Sequence, residues 1–178
     1  MFLAEIIYFM LPAYFANMAP VIFGKINFLN FPIDFGKKLL GQSLLGKTKT
    51  YRGFFFGAIS SLAIIYLQTK FYDFPYFKSL SLINYKKENL LILSLLFGLG
   101  ALTGDLIKSF IKRRLNKKPS QPWIVFDQID FVIGSLVFIS PIISFSLYGN
   151  ALILIVSFLL TVITNHLSWS LGFRKEKW

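Results

Sequence analysis

Cysteine is absent from the 178 residues, and histidine occurs once, at His166. Thiol nucleophiles, disulfides and cysteine-bearing metal centres are therefore excluded. His166 has no Cys or acid beside it in sequence and reads as structural. Acids are scarce too: eight Asp and Glu stand against 19 Lys and Arg, a net charge of +11. Over long stretches charge of either sign is missing. With 55% hydrophobic and 18% aromatic residues and a mean hydropathy of +0.62, the chain is too apolar for an ordinary soluble domain. It reads as an all-α integral membrane protein. The bases lie between apolar runs, so anionic headgroups and anionic substrates are the expected partners and nucleic acid is not. No periodic repeat or low-complexity tract is evident.

The charge-poor runs predict one membrane domain over residues 1–178 with five transmembrane helices. They fall at about 3–24, 53–69, 89–113, 130–148 and 151–170. The first carries Glu5 and has no basic region before it, so it reads as an uncleaved span and not a signal peptide. Gly149 and Asn150 read as the turn between the last two. Fifteen Lys and Arg fall in loop 25–52, in residues 108–118 and in the tail bases Arg174, Lys175 and Lys177, against four in residues 70–88. The positive-inside rule then puts the N-terminus outside, the C-terminus in the cytoplasm, and loops 25–52 and 114–129 together on the cytoplasmic face.

The stretch Gly104 to Ile133, GDLIKSFIKRRLNKKPSQPWIVFDQIDFVI, is a polar wedge between apolar runs. It holds three of the eight acids and six of the bases. On a helix, Asp105, Lys108, Ser109, Lys112 and Arg113 share one face, as do Asp127 and Asp130. Carboxylates offer hard oxygens to Mg²⁺, and a row of cations offers fixed charge to a polyphosphate. A basic loop beside a membrane helix ordinarily sets orientation and nothing more. That reading does not account for acids abutting apolar spans, where ionisable groups are costly and functional by default. In the first loop, LLGKTKTYRGF clusters Lys47, Lys49, Arg52, Thr48 and Thr50 among glycines. These residue types bind phosphates, although the spacing is not that of a P-loop. A metal, phosphate-binding cations and no good nucleophile point to phosphoryl or nucleotidyl transfer, with the acceptor supplying its own nucleophile.

SFIKRR, Lys118-Pro119, and DQID before an apolar span resemble the signature of the membrane CTP-dependent cytidylyltransferases that make CDP-lipids. The archaeal branch, CDP-archaeol synthase, is more similar: GDLIKSFIKRR, KPS, FDQIDFVIG, KTKTYRGF, PIDFGKK and LPAYFANMAP all look like its pattern. The bacterial phosphatidate enzymes usually carry Lys-Asp and His-Gly-Gly before the aspartate pair, and this chain has neither. The resemblance implies that CTP and 2,3-di-O-geranylgeranylglyceryl phosphate, an isoprenoid glycerol-phosphate lipid, give CDP-archaeol and pyrophosphate with Mg²⁺. It further implies that Asp105, Asp127 and Asp130 are catalytic and hold the metal. Ser109, Lys112 and Arg113 would bind the CTP phosphates, and Lys49, Thr50 and Arg52 would close the site from the other loop.

Two alternatives stand beside this reading: a CDP-diacylglycerol synthase using phosphatidate, and a non-catalytic cation-conducting or lipid-binding membrane protein. A CDP-alcohol phosphotransferase would need an Asp-Gly-x-x-Ala-Arg run that is missing. Runs 53–69 and 89–104 carry only 17 and 16 charge-free residues, short of the roughly 20 needed to cross. That predicts a polar cavity walled by Arg52, Asp105, Ser109, Asp127 and Asp130, open to the cytoplasm and sideways to lipid.

Overall fold

The computed structural model describes residues 3–117 and 121–170. Lys118, Pro119 and Ser120 of the motif and the tail bases Arg174, Lys175 and Lys177 lie outside the described residues. The elements are α1 (Leu3–Ile22), β1 (Lys38–Leu39), β2 (Gln42–Ser43), α2 (Tyr51–Phe71), α3 (Pro75–Leu80), α4 (Leu90–Arg114), α5 (Phe126–Ile139) and α6 (Leu147–Ser170). Among the described residues four helices, α1, α2, α4 and α6, are long and apolar enough to cross a membrane.

Local chemistry sets the helix ends. Thr50 caps α2 by accepting from the Gly53 amide. Asn89 caps α4 by accepting from Leu91 and Ile92, each cap satisfying amides that the first turn leaves unpaired. With Thr50 as cap, α2 runs 21 residues, through Arg52 at one end and Lys70 at the other. The charge-free count therefore understates its length.

The expected span 130–148 and the expected turn at Gly149-Asn150 differ from what is observed. Helix α5 starts earlier, at Phe126, and stops after 14 residues at Ile139, just before Ser140-Pro141. Gly149 and Asn150 lie in the first turn of α6, where the Ser146 hydroxyl accepts from the Gly149 amide. The proline ended the helix sooner than hydropathy indicated, and a serine cap made Gly-Asn a helix start.

The core is aromatic and alkyl. Phe9 of α1 meets Phe97 of α4 edge-on at 5.1 Å, and Tyr14 meets Phe131 of α5 at 5.8 Å. Helices in lipid gain little from burying apolar surface, so close backbone approach and polar bonds carry the association. Ser61 Oγ donates to the Ser94 carbonyl, Ser135 Oγ to Phe97 and Gln68 Nε2 to Tyr8. Helices α4 and α5 cross with almost nothing between them. A Cβ on Gly134 would stand 2.1 Å from the Gly100 carbonyl oxygen, and one on Gly104 would stand 2.1 Å from that of Asp130. Helix α6 is peripheral, burying Ile153 and Ser157 and bonded to the bundle through Ser157 Oγ and the Tyr14 hydroxyl at 2.7 Å.

Loop 25–50 is folded, not slack. Asp34 is its hub: its carboxylate accepts from the amides of Gly36, Leu45 and Gly46 at 2.9, 2.8 and 3.2 Å. The β1–β2 hairpin is then tied to the end of α4, where the Arg114 guanidinium donates to the carbonyls of Leu39 and Ser43 at 2.6 and 2.9 Å.

Candidate functional site

The glycine crossing of α4 and α5 brings Asp105, one residue after Gly104 on α4, beside Asp130, whose own carbonyl is part of the contact. Asp127 lies one turn earlier on α5, at its first turn. The chain enters α5 through Val125 at φ +75°, an outlying conformation for a β-branched residue and a form of strain found at functional sites. That turn lets Asp127 Oδ2 accept from the Trp123 amide at 2.7 Å, while the Asp127 amide donates back to the Trp123 carbonyl.

The three aspartates converge on one atom. Lys108 Nζ lies 3.0 Å from Asp105 Oδ1, 3.2 Å from Asp127 Oδ1 and 2.9 Å from Asp130 Oδ2. Asp105 also pairs with Lys49, the residue preceding the α2 cap. Lys112 Nζ donates to both oxygens of Asp127 at 3.1 Å and to the Gln121 carbonyl at 2.6 Å. Three carboxylates thus face three ammonium groups, drawn from α4, α5 and the loop before α2.

Most predicted residues meet here. Ser109, Lys112 and Arg113 are all buried on α4, at 4%, 6% and 7% exposure. The Arg113 guanidinium donates to the Lys117 carbonyl, and among the described residues its Nε has no hydrogen-bond partner. It packs against Gly46, which at φ +104° holds a conformation open to glycine. Thr50 lines a small, mostly apolar cleft with Lys49, Thr48 and Asp105, but its hydroxyl is engaged as the α2 cap. Arg52 points elsewhere: its guanidinium donates to the Ile26 carbonyl at 2.7 Å and makes no ion pair among the described residues. Of the residues expected to wall one cavity, Asp105, Asp127 and Asp130 come together, and Arg52 is turned to the Ile26 carbonyl. Lys108 fills the space between the acids, and the cleft beside Asp105 has room for about one water, 30 Å³. His166 bonds the Val162 carbonyl one turn back, at 2.8 Å. Sequence reading placed Lys108 on the right face without giving it a role, because its centrality depends on how α5 crosses. The Gly100-x-x-x-Gly104 spacing, the mark of a close helix pair, was the available signal.

Hard divalent cations take oxygen ligands, and the donor set here is carboxylate throughout. Among the described residues no three acids stand as a ready metal cage, since an ammonium group takes the central place. That group sets one positive charge among three negative ones. Asp130 Oδ2 is buried against Lys108 Nζ at 2.9 Å. Buried carboxylate oxygens gathered round a single positive charge fit a small cation at the centre.

On the side of α5 away from α4, Val125 and Ile129 face Leu154, Ile155, Phe158 and Leu159 of α6 across an apolar groove of 270 Å³. It begins two residues from Asp127.

Comparison with known proteins adds to this geometry. The family model described as CarS-like, CDP-archaeol synthase, matches residues 1–178. A CDP-archaeol synthase of Pyrococcus furiosus is 41% identical over 175 residues, 98% of this chain and 97% of that one. One from Methanococcoides burtonii is 38% identical over 180 residues, covering 95% and 100%. A solved structure of an intramembrane enzyme for archaeal membrane lipid biosynthesis superposes with a TM-score of 0.73 at 30% identity, covering 89% of this chain and 91% of that one.

Proposed function

The chain belongs to the CDP-archaeol synthase family, and from that premise we propose how its residues carry out the reaction. It is a multi-pass membrane enzyme, a CTP-dependent cytidylyltransferase that forms CDP-archaeol in archaeal lipid biosynthesis. In our reading the lipid is 2,3-di-O-geranylgeranylglyceryl phosphate and the second product is pyrophosphate. The observation that carries the site assignment is the meeting of Asp105, Asp127 and Asp130 within 3.2 Å of a single nitrogen.

Asp105, Asp127 and Asp130 would hold Mg²⁺. When bound, that ion supplies neutralisation of the triphosphate and polarises its phosphoryl oxygens. The protein contributes position and charge. Lys112 and Arg113 sit buried on one face of α4, which supports their binding the CTP phosphates together with Ser109. Lys49 approaches from the opposite loop. An oxygen of the lipid phosphate attacks the α-phosphorus of CTP in line, the α–β bond breaks, and pyrophosphate leaves with the electron pair. The attacking oxygen is already anionic at neutral pH, so no general base is required, and holding both reactants in line supplies much of the rate.

The groove between α5 and α6 supports a lateral approach of the lipid. Isoprenoid chains do not favourably leave lipid for water, and this surface lets one remain apolar while its phosphate reaches Asp127. We further propose that α5 with the segment 140–146 makes a fifth crossing, with the aspartate site on the cytoplasmic side, the N-terminus outside and the C-terminus inside.

The test is turnover of labelled CTP by the detergent-solubilised protein with each lipid phosphate. Formation of a CDP-lipid from the isoprenoid ether substrate, well above that from phosphatidate, is expected. Preference for phosphatidate would refute the lipid assignment.

A further inference from the structure

We propose that Lys108 is an exchangeable counter-ion: it occupies the cation position among Asp105, Asp127 and Asp130 in the free protein and is displaced when a divalent cation binds. The inference rests on those three acids being the metal ligands.

Two observations support it. First, Lys108 Nζ is within 3.2 Å of carboxylates from two helices, so it sits where a shared ligand must sit. An ion with carboxylate oxygens at about 2.0–2.1 Å cannot enter while the ammonium stays. Second, the ammonium is a poor permanent tenant, because its single positive charge stands among three carboxylates, where a divalent ion would supply two charges and accept more oxygen ligands. Without Lys108, three carboxylates packed at a helix crossing would face only Lys49 and Lys112, and their mutual repulsion would load the α4–α5 contact. Lys108 relieves that repulsion in the empty protein. On displacement its long side chain remains on the helix face of Lys112, one turn away, so the freed charge joins the cations facing the triphosphate. The site thereby couples cation entry to gain of a phosphate-binding group.

The experiment is a titration of Mn²⁺, without nucleotide, followed by electron paramagnetic resonance on the full chain in detergent. Lys108→Met removes the competing charge at similar size and is expected to bind Mn²⁺ at least about tenfold more tightly than the wild type. Asp127→Asn is expected to bind it more weakly. Equal or weaker binding by Lys108→Met, with Asp127→Asn still impaired, overturns the exchange and leaves the metal assignment standing. Binding indifferent to Asp127→Asn overturns both. Should Lys108→Met fail to fold, the wild type decides. Mg²⁺ should raise the acetylation of Lys108 by an amine-reactive reagent severalfold, read by mass spectrometry, and no rise refutes the displacement.

Discussion

Replacing Gly134 with alanine adds one methyl group where α4 and α5 leave no room for it. The new carbon would stand 2.1 Å from the Gly100 carbonyl oxygen and 2.9 Å from both the Cα and the N of Gly104. All three atoms are backbone, so no side chain can swing aside. Ordinary contact begins at 3.4 Å, and the helices must part by more than about 1 Å to reach it, because packed interiors do not compress. Overpacking of this kind costs about 1–3 kcal/mol, occasionally more, or about 2–4 °C of melting temperature per kcal/mol in a chain of this size. The effect on catalysis should be larger than the effect on stability. Asp105 and Asp130 belong to opposite sides of that crossing, and a shift of about 1 Å in reacting geometry lowers rates by about a hundredfold. The assay is thermal unfolding in detergent together with CTP turnover. Ile133→Ala serves as the control, since that neighbouring side chain is exposed on the outside of α5 and should alter neither quantity much. Wild-type melting and wild-type turnover in Gly134→Ala would refute the argument that this contact sets the site.

Three further outcomes are expected. Asp127→Asn should lower turnover at least about a hundredfold even at saturating Mg²⁺, through loss of an anionic oxygen ligand; the folded fraction measured by gel filtration should hold. Lys112→Ala should raise the CTP Michaelis constant by about tenfold, each lost charge-assisted contact being worth about 1.5–3 kcal/mol before compensation. An unchanged constant and unchanged turnover would reduce the α4 cations to a topology signal. Burial disfavours ionised Asp34, but amides from Leu45, Gly36 and Gly46 outweigh it and hold the carboxyl below the usual range. The stability it lends loop 25–50 should be present above the unfolded carboxylate value of about 3.9 and lost as pH falls through the lower folded one. Asp34→Asn should therefore loosen the loop at neutral pH. Faster hydrogen exchange at Leu45 and Gly46, corrected for intrinsic rates, is the check, and unchanged protection would remove Asp34 as the hub.

Much of this was legible in sequence because it is local. Hydropathy located α1, α2, α4 and α6, and helical spacing put Asp105, Ser109, Lys112 and Arg113 on one face. What escaped depends on distant partners. Arg114 reads as one base in a row, yet it braces a hairpin some 70 residues away in sequence, at Leu39 and Ser43. Thr50 and Arg52 look alike as phosphate binders until a cap claims the first and the Ile26 carbonyl the second. Asp34 carried no signal, since its partners are amides, and every residue but proline has an amide. The end of α5 lies earlier than the charge-free run suggests, because that run passes across Ser140-Pro141 without registering the break.

The brevity of α5 bears on the membrane around it. Fourteen helical residues rise about 21 Å, while a hydrocarbon core is about 30 Å thick. The helix cannot slide to favour one leaflet, because the glycine crossing locks it to α4. In the five-crossing reading proposed above, the bilayer would accommodate the short helix by thinning beside it and drawing headgroups and water inward near Asp127. A lipid phosphate entering there would descend with its own interface. The deformed bilayer would then do much of the work of bringing an anchored headgroup to a buried carboxylate site, and on that reading turnover should respond to the acyl-chain length of the surrounding lipid.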